Sequence, residues 1–263
     1  AQDGVADGLV SNPAACKFDV AQLQCKGAKD DSCLAPEQVD ALKKMFTGAK
    51  NSAGQPLYFS WPWDAGIGHP KNDWRMWKLG NSPTAKANSR HVFLMEDALQ
   101  GYFVTPPDRS LSIYKFDFDR DPQRMDAHAW IFNTAHDVKL AGYQARGGKL
   151  MFIHGMADPI FSADEMVDYY QRLTSQNGPK TNEFARLFLV PGMGHCAGGA
   201  ATDSIDGLGS LVDWVEKGQA PQSVPASGTA VYPGRTRPLC AYPQYAHYKG
   251  TGNPEDASNF SCR

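Results

Sequence analysis

Two short apolar runs separated by a helical pattern constrain the fold of this chain more than any other feature. Residues 149–154 (Lys-Leu-Met-Phe-Ile-His) follow a Gly-Gly pair, and residues 186–190 (Arg-Leu-Phe-Leu-Val) precede a glycine-rich loop over 191–201. Runs this short and apolar are typical of strands buried on both faces. Helical patterns over 162–173 and 205–216 follow the two runs, so the alternation predicts an α/β fold with a parallel sheet.

Local end signals place the predicted helices more closely. Ser162 suits the N-cap of the first of these helices, and Glu165 three residues later completes a capping-box pattern. A further helix over 137–146 is predicted to end at a pair of glycines. Nearer the start, Pro36 suits the first position of a short helix over 36–45.

Composition divides the chain into three stretches. Residues 1–35 are loop-like and rich in Gly, Asp and Cys, whereas residues 36–125 hold the short helix and then an irregular segment dense in aromatics and prolines. Residues 126–263 contain the alternating strands and helices and a tail rich in Pro, Tyr and Gly. The α/β fold is therefore predicted for the last stretch.

Charge and hydropathy argue against two classes of partner. The 263 residues carry a net charge of −2, so there is no basic footprint for nucleic acid. No run of eighteen apolar residues is present, so no membrane-spanning helix is predicted. The hydrophobic content of 42% is enough for a large core.

An acidic residue follows the first predicted strand and a histidine follows the second. Asp158 stands four residues after His154, and His195 lies in the glycine-rich loop. Since the carboxyl ends of parallel strands meet at one edge, the two loops are expected to converge. We interpret Asp158 as a carboxylate that orients His195, the general base, with His154 lining the pocket. The alternative is that Asp158 caps the next helix and His195 is an ordinary loop residue.

The nucleophile of such a triad is missing from the sequence. No Gly-x-Ser-x-Gly motif occurs in the 263 residues. The nearest match, Gly-Leu-Gly-Ser over residues 207–210, follows His195 and lies in a predicted helix. Its order and its context are both wrong for a nucleophilic serine.

The six cysteines allow two interpretations. They form no Cys-x-x-Cys pair and no zinc-finger spacing. An even number in a loop-rich chain is compatible with disulfides in an oxidising compartment. The alternative is a cytosolic protein with small buried thiols.

Several motifs together resemble the tannase and feruloyl esterase family. These are Gly-Gly-Lys-Leu at 147–150 leading to His-Gly-x-x-Asp at 154–158, and Pro-Gly-Met-Gly-His-Cys at 191–196. Asp-Gly-Val-Ala-Asp-Gly at 3–8, Trp-Pro-Trp-Asp at 61–64 and the cysteine spacings also fit, so the resemblance covers nearly the whole chain.

The resemblance implies the C-terminal part of an α/β-hydrolase fold with a large, irregular lid inserted before the catalytic acid. Most of the lid would be residues 55–124. The family's serine lies upstream of the stretch matched here, so the partner implied for this chain is an N-terminal part that carries the serine. The implied activity is hydrolysis of feruloyl, galloyl or related aromatic esters. The rival hypothesis is a secreted, non-catalytic binding module that keeps the hydrolase scaffold.

The resemblance also implies how the cysteines pair and where the protein resides. The compartment would be secreted or periplasmic. The implied pairs are Cys25 with Cys33, Cys240 with Cys262, Cys16 with a cysteine upstream, and Cys196 with a cysteine beside the serine. Alternatively, Cys16 and Cys196 are free or are bonded to another chain.

A structural calcium ion is the one cofactor that the resemblance implies; no organic cofactor is expected. The expected ligands are the carboxylates of Asp3 and Asp7 and the backbone carbonyls of Val5 and Leu9, with one further Asp upstream. The twelfth position, Ala14, is not Glu, so the loop is not an EF-hand. The alternative is an Asp-Gly turn pair that binds no metal.

Candidate substrate contacts come from the aromatic-rich segment. Trp74, Trp77 and Phe93 could stack on an aromatic substrate, although a lid core would use the same residues. Arg75 or Arg90 could bind a substrate carboxylate, and the sequence does not choose between them.

Overall fold

The fold is seen in a computed structural model that describes residues 2–70 and 72–263. Helices α1 to α8 span Pro36–Phe46, Trp74–Lys78, Arg90–Ala98, Ala129–Phe132, Ala141–Ala145, Ala163–Asn177, Thr181–Phe184 and Gly207–Lys217. Strands β1 to β7 span Leu150–Gly155, Ala185–Val190, Ser204–Ile205, Ser223–Ser227, Thr236–Cys240, Ala246–Tyr248 and Phe260–Cys262. In these ranges no helix is long and apolar enough to cross a bilayer.

The parallel pair β1 and β2 lies at the centre of the fold. Its register runs from Leu150 opposite Ala185 to Gly155 opposite Val190, with α6 and α7 in the crossover. The β2 side chains are almost fully buried, as the apolar run requires. The two predicted strands and their parallel pairing are therefore confirmed, and their carboxyl ends lie side by side.

Helix α6 begins where its N-cap was predicted, but the capping box is indirect. The Ser162 hydroxyl accepts the Asp164 N–H at 3.1 Å. The Glu165 carboxylate does not bind the Ser162 N–H; that N–H donates instead to the Tyr58 hydroxyl at 3.1 Å, which in turn donates to Glu165 at 2.5 Å. Tyr58 belongs to the aromatic-rich segment, so this relay fastens that segment to α6.

The predicted helix over 137–146 is largely wrong. Only α5, Ala141–Ala145, is helical, because Leu140 just before it adopts a left-handed conformation with φ of 45°. The Asp137 carboxylate also turns the chain by accepting the Lys139 N–H at 3.1 Å. A local aspartate turn thus replaces the first helical turn.

The last helix, predicted to begin at Ile205, begins two residues later as α8 at Gly207. Ile205 belongs to β3, and the Asp206 carboxylate caps α8 by accepting the Gly209 N–H at 2.8 Å. In contrast, α1 begins at Pro36 as predicted and extends one residue further, to Phe46.

Two antiparallel sheets follow the parallel pair and hold the tail. Strands β3, β4 and β5 form one sheet, and β6 pairs with β7 in the other. The Cys240–Cys262 disulfide joins β5 to β7, and the Cys25–Cys33 disulfide closes a loop near the start. Both pairings are as predicted and are compatible with an oxidising compartment.

Aromatic rings hold the irregular segment together in place of regular structure. The Phe46 ring of α1 stacks on Trp63 with centroids 3.5 Å apart and on Trp74 at 5.4 Å. Trp74 is buried in this stack. Stacking of large rings supplies burial where periodic elements are short.

Candidate active site

Asp158 lies in the loop that follows β1 and is held there by backbone donors. It is only 4% exposed. Its Oδ1 accepts the N–H groups of Ile160 at 2.7 Å and Phe161 at 3.1 Å. Its Oδ2 lies 2.9 Å from Nδ1 of His195. Each carboxylate oxygen therefore has a separate task, one fixing the loop and the other meeting the imidazole.

His195 lies in the loop that follows β2, and hydrogen bonds fix that loop from two directions. The Ala157 N–H donates to the Met193 carbonyl at 3.0 Å, which links the loop to the chain beside Asp158. The Gly194 N–H donates to the Gly198 carbonyl at 3.2 Å, which closes the loop on itself. The side chain of His195 is 36% exposed. Because Nδ1 meets Asp158, Nε2 is the nitrogen available for proton transfer.

The loops that carry Asp158 and His195 pack backbone against backbone, and this contact requires glycine. A Cβ on Gly155 would lie 2.4 Å from the Met193 carbonyl oxygen. Within the His195 loop itself, a Cβ on Gly192 would lie 1.9 Å from the Ala200 carbonyl oxygen, and Gly192 also has φ of +76°. The glycine-rich pattern of these loops is thus a packing requirement.

His154, near the end of β1, also lies beside Asp158. Its Nε2 lies 3.1 Å from the Phe161 carbonyl oxygen and 3.9 Å from Oδ2 of Asp158. Donating to Phe161, the imidazole braces the turn that holds Asp158. His154 also borders the cleft described next.

Two open clefts meet at His195. The first, of about 410 Å³, runs along the Asp158 and His195 loops, and the exposed ring of Phe161 borders it with its centroid 5.5 Å from that of His195. Phe161 is 54% exposed, so its ring is open to the cleft. The second cleft, of about 370 Å³, is bordered on its other side by Trp77 and Arg90.

The structure separates the candidate substrate contacts. Trp77 and Arg90 lie at the second cleft, whereas Trp74 packs in the aromatic stack. Arg90 pairs with Asp73 at 2.5 Å, and its guanidinium carbon lies 5.6 Å from the centre of the Trp77 ring. Arg75 is exposed and lines neither cleft.

A half-buried amine that the sequence did not indicate interacts electrostatically with Asp158. The Lys78 ammonium sits 3.7 Å from the centre of the Trp61 ring. Burial lowers the pKa of Lys78 to about 8, and the negative charge of Asp158 opposes that shift. Burial, followed by the nearby Lys78 charge, lowers the pKa of His91 to about 4. Only the fold brings these three groups together, so no sequence spacing could have revealed them.

The candidate calcium loop carries one unpaired buried oxygen. Oδ2 of Asp3 accepts the Ser11 N–H at 2.9 Å, while Oδ1 is buried without a hydrogen-bond partner. Asp7 is already engaged, because its Oδ2 pairs with Arg237 at 2.5 Å and Arg235 at 3.8 Å. Over residues 2–70 and 72–263, no three His, Cys, Asp or Glu residues cluster as a metal site.

The two remaining cysteines carry free thiols in this chain. Cys16 is partly buried, and its Sγ lies 3.8 Å from the Trp63 carbonyl oxygen. Cys196 is exposed and follows His195 directly, with φ of 63°.

Comparison with known proteins gives consistent matches. A family model described as tannase and feruloyl esterase matches residues 1–263. The mono(2-hydroxyethyl) terephthalate hydrolase of Piscinibacter sakaiensis is 44% identical over 297 residues, covering 100% of this chain and 49% of that enzyme.

Solved structures show the same fold. Feruloyl esterase B from Aspergillus oryzae gives a TM-score of 0.80 at 23% identity, covering 99% of this chain and 53% of that one. The tannin acyl hydrolase from Aspergillus niger gives 0.68 at 21% identity, covering 97% and 49%. The chain therefore spans about half the length of the relatives it matches.

Proposed function

The chain belongs to the tannase and feruloyl esterase family, and on that basis we propose that it carries the acid and the base of a serine carboxylic-ester hydrolase. The observation that carries this proposal is the 2.9 Å contact between Oδ2 of Asp158 and Nδ1 of His195, at the carboxyl ends of two paired parallel strands. The nucleophilic serine lies outside this chain, in an N-terminal part of the same enzyme.

The geometry suits acyl transfer. Nδ1 of His195 donates to Asp158, so Nε2 accepts the proton of the serine hydroxyl as the hydroxyl attacks the ester carbonyl. Collapse of the tetrahedral intermediate expels the alcohol, which takes the proton from Nε2. His195 then deprotonates a water molecule that releases the acid from the acyl-enzyme. The buried Asp158 stabilises the imidazolium in both halves of the reaction.

The proposed substrates are esters of aromatic acids, such as feruloyl, galloyl or terephthaloyl esters. The exposed Phe161 ring beside His195 offers a face on which an acyl ring can stack. Trp77 and Arg90 border the second cleft, where a ring and a negatively charged substituent could bind. The names of the relatives agree with this class of substrate.

We assign the chain to the C-terminal part of an α/β-hydrolase fold, with residues 36–125 as the lid. The tie between Tyr58 and α6 supports a lid packed on the hydrolase part. In the secreted or periplasmic enzyme, Cys16 and Cys196 would pair with cysteines of the N-terminal part. The second of these bonds would hold the His195 loop beside the serine.

Calcium is proposed as a structural ion at the loop of Asp3, Val5, Asp7 and Leu9. The unpaired, buried Oδ1 of Asp3 supports a cation there. The arginine pairs of Asp7 reduce its negative charge, which leaves Asp3 as the stronger ligand.

Fluorophosphonate labelling tests the proposed function in the product of the complete reading frame. A serine esterase is labelled on one upstream serine and hydrolyses methyl ferulate, methyl gallate or a terephthalate monoester. His195→Ala should prevent both, because the serine is no longer activated. If the complete protein neither labels nor hydrolyses any of these esters but binds aromatic acids, the binding-module hypothesis holds instead.

A further inference from the structure

Asp64 connects the lid-side segment to the loop that carries His195. Its Oδ1 accepts the Gly66 N–H at 2.7 Å and thereby caps the short 3₁₀ helix Ala65–Gly68. The same carboxylate accepts the Gly192 N–H, with distances of 3.1 Å to Oδ1 and 3.2 Å to Oδ2. Gly192 lies 128 residues further along the chain and only three residues before His195.

The backbones of the two segments are in direct contact. A Cβ added to Gly66 would lie 2.5 Å from Cα of Gly192. No side chain separates them, so the hydrogen bond from Gly192 to Asp64 lies beside a direct backbone contact. On its opposite side the histidine loop is bound through the Met193 carbonyl, which accepts the Ala157 N–H at 3.0 Å. The loop is therefore held between Asp64 and the chain that leads to Asp158.

An ionised carboxylate at this buried position reduces the stability of the fold. Asp64 is 8% exposed and, in the described part of the chain, has no ion pair. Burial raises its pKa to about 6, although the two N–H donors favour the charged form. A carboxylate is however an acceptor only, so it can bind both N–H groups without presenting a donor to them. Groups that reduce stability in this way are characteristic of functional sites.

We propose that Asp64 is a positioning residue, which fixes Gly192 so that His195 stays at hydrogen-bond distance from Asp158. It acts through the loop backbone and does not contact the reacting atoms. The catalytic part of this inference rests on the proposed function, whereas the mechanical part does not.

The test is Asp64→Ser in the enzyme from the complete reading frame. Serine is a good cap and can still accept the Gly66 N–H, but its shorter side chain does not reach Gly192. We expect kcat to fall about tenfold to a hundredfold with KM changed less than about twofold, because the base is misplaced while substrate binding is retained. Hydrogen exchange of residues 191–196 should accelerate, while that of β4 should not.

Two variants serve as controls. Asp19→Ser changes a matched cap, since Asp19 accepts the Ala21 N–H at 2.9 Å without contacting the histidine loop, and it should leave kcat and the loop exchange unchanged. Asp64→Asn keeps an acceptor oxygen for both N–H groups, so it should retain kcat within about threefold. If Asp64→Ser does not fold, Asp64→Glu replaces it, because the extra methylene displaces both hydrogen bonds.

Normal kcat and slow exchange at Gly192 in Asp64→Ser, or in Asp64→Glu where it replaces that variant, would overturn the proposal. Faster exchange spread evenly over the chain would also overturn it, because that result indicates a purely structural role. If the unmodified enzyme hydrolyses no ester, the proposed function fails, while local acceleration of exchange in residues 191–196 still supports the positioning role.

Discussion

At the scale of single residues, the site depends on how the Asp158 carboxylate is divided between its partners. One oxygen is satisfied by two backbone N–H groups, so the other is held in place for the imidazole of His195. This arrangement selects the tautomer in which Nδ1 carries the proton. An amide at residue 158 could keep the loop bonds and yet present a donor to Nδ1.

The first prediction follows from that tautomer. Asp158→Asn in the complete enzyme should lower kcat about a thousandfold or more, with little loss of fold, because the imidazole is held in the wrong tautomer. Ester hydrolysis measured beside circular dichroism checks it. His136→Ala removes an exposed histidine whose ring meets only Asn133 in the described structure, and it should leave the rate unchanged. Equal activity of Asp158→Asn and the unmodified enzyme would exclude the triad assignment.

The second prediction concerns the pH dependence contributed by Asp64. Burial raises its folded-state pKa to about 6 from an ordinary value of 3.8. Protonated Asp64 is favoured in the folded state, so its contribution to the free energy of unfolding is fully present below about pH 4. That contribution is lost as pH rises through 6 and the buried carboxyl ionises. Asp64→Asn lacks this loss, so relative to the unmodified protein it should gain on the order of 2–3 kcal/mol between pH 4 and 7.5. Urea unfolding at the two pH values measures the gain.

An exposed aspartate provides the control for that experiment. Hydrogen bonds from Ser32 hold the pKa of Asp30 below its ordinary value. Relative to the unmodified protein, Asp30→Asn should therefore lose stability, not gain it, as pH rises. A pH-independent difference between Asp64→Asn and the unmodified protein would contradict the buried-carboxylate argument.

The residue scale also shows where sequence reasoning ends. Asp158 and His195 could be predicted because each follows a buried strand, and the topology of parallel sheets brings such positions together. Asp64 and Lys78 could not, because Asp64 binds a backbone N–H 128 residues away and Lys78 lies on an aromatic face. Neither partner leaves a residue pattern that can be recognised beforehand.

At the scale of elements, the sequence predicted structure well where burial sets the pattern and poorly where local turns compete. Strands β1 and β2 and helix α6 satisfy an apolar core, and their predicted positions hold within a few residues. The stretch 137–146 has helical spacing, but the Asp137 turn and the left-handed Leu140 shorten its helix. Hydrogen bonds between side chains and nearby backbone groups are hard to predict from the sequence, yet they compete with helix formation and set where the helix begins.

The third prediction concerns the N-terminal loop as an element. Calcium should raise the Tm of the complete enzyme relative to the chelator-treated protein, because a ligand that binds only the folded state stabilises it. Asp3→Asn should abolish most of that rise, since it removes charge from the buried, unpaired oxygen. The matched control is Asp31→Asn, an exposed aspartate in the loop between Cys25 and Cys33. An identical calcium response in Asp3→Asn and the unmodified enzyme would place the ion elsewhere.

At the scale of the whole molecule, helix α8 presents an apolar face that the described residues do not cover. Trp214 points into the core, whereas Leu208, Val212 and Val215 are exposed along one side of the helix. These positions are spaced i, i+4 and i+7, as in a helix that packs on both sides. A parallel sheet of two strands is also smaller than such sheets normally are. The exposed face and the small sheet both support packing against the proposed N-terminal part. The relatives are about twice as long as this chain, so their length leaves room for such a part.

The fourth prediction tests that packing. Val215 is 59% exposed in this chain, so a charge at this position would cost little if the face were open to water. If the N-terminal part covers it, Val215→Glu in the complete enzyme loses apolar burial and places a carboxylate in the interface, a cost of about 2 kcal/mol or more. Glu216→Gln, at the neighbouring exposed position, should stay within about 0.5 kcal/mol of the unmodified enzyme. Denaturant unfolding compares the two, and equal stability of Val215→Glu and Glu216→Gln would mean that α8 faces solvent and that the N-terminal part packs on another surface.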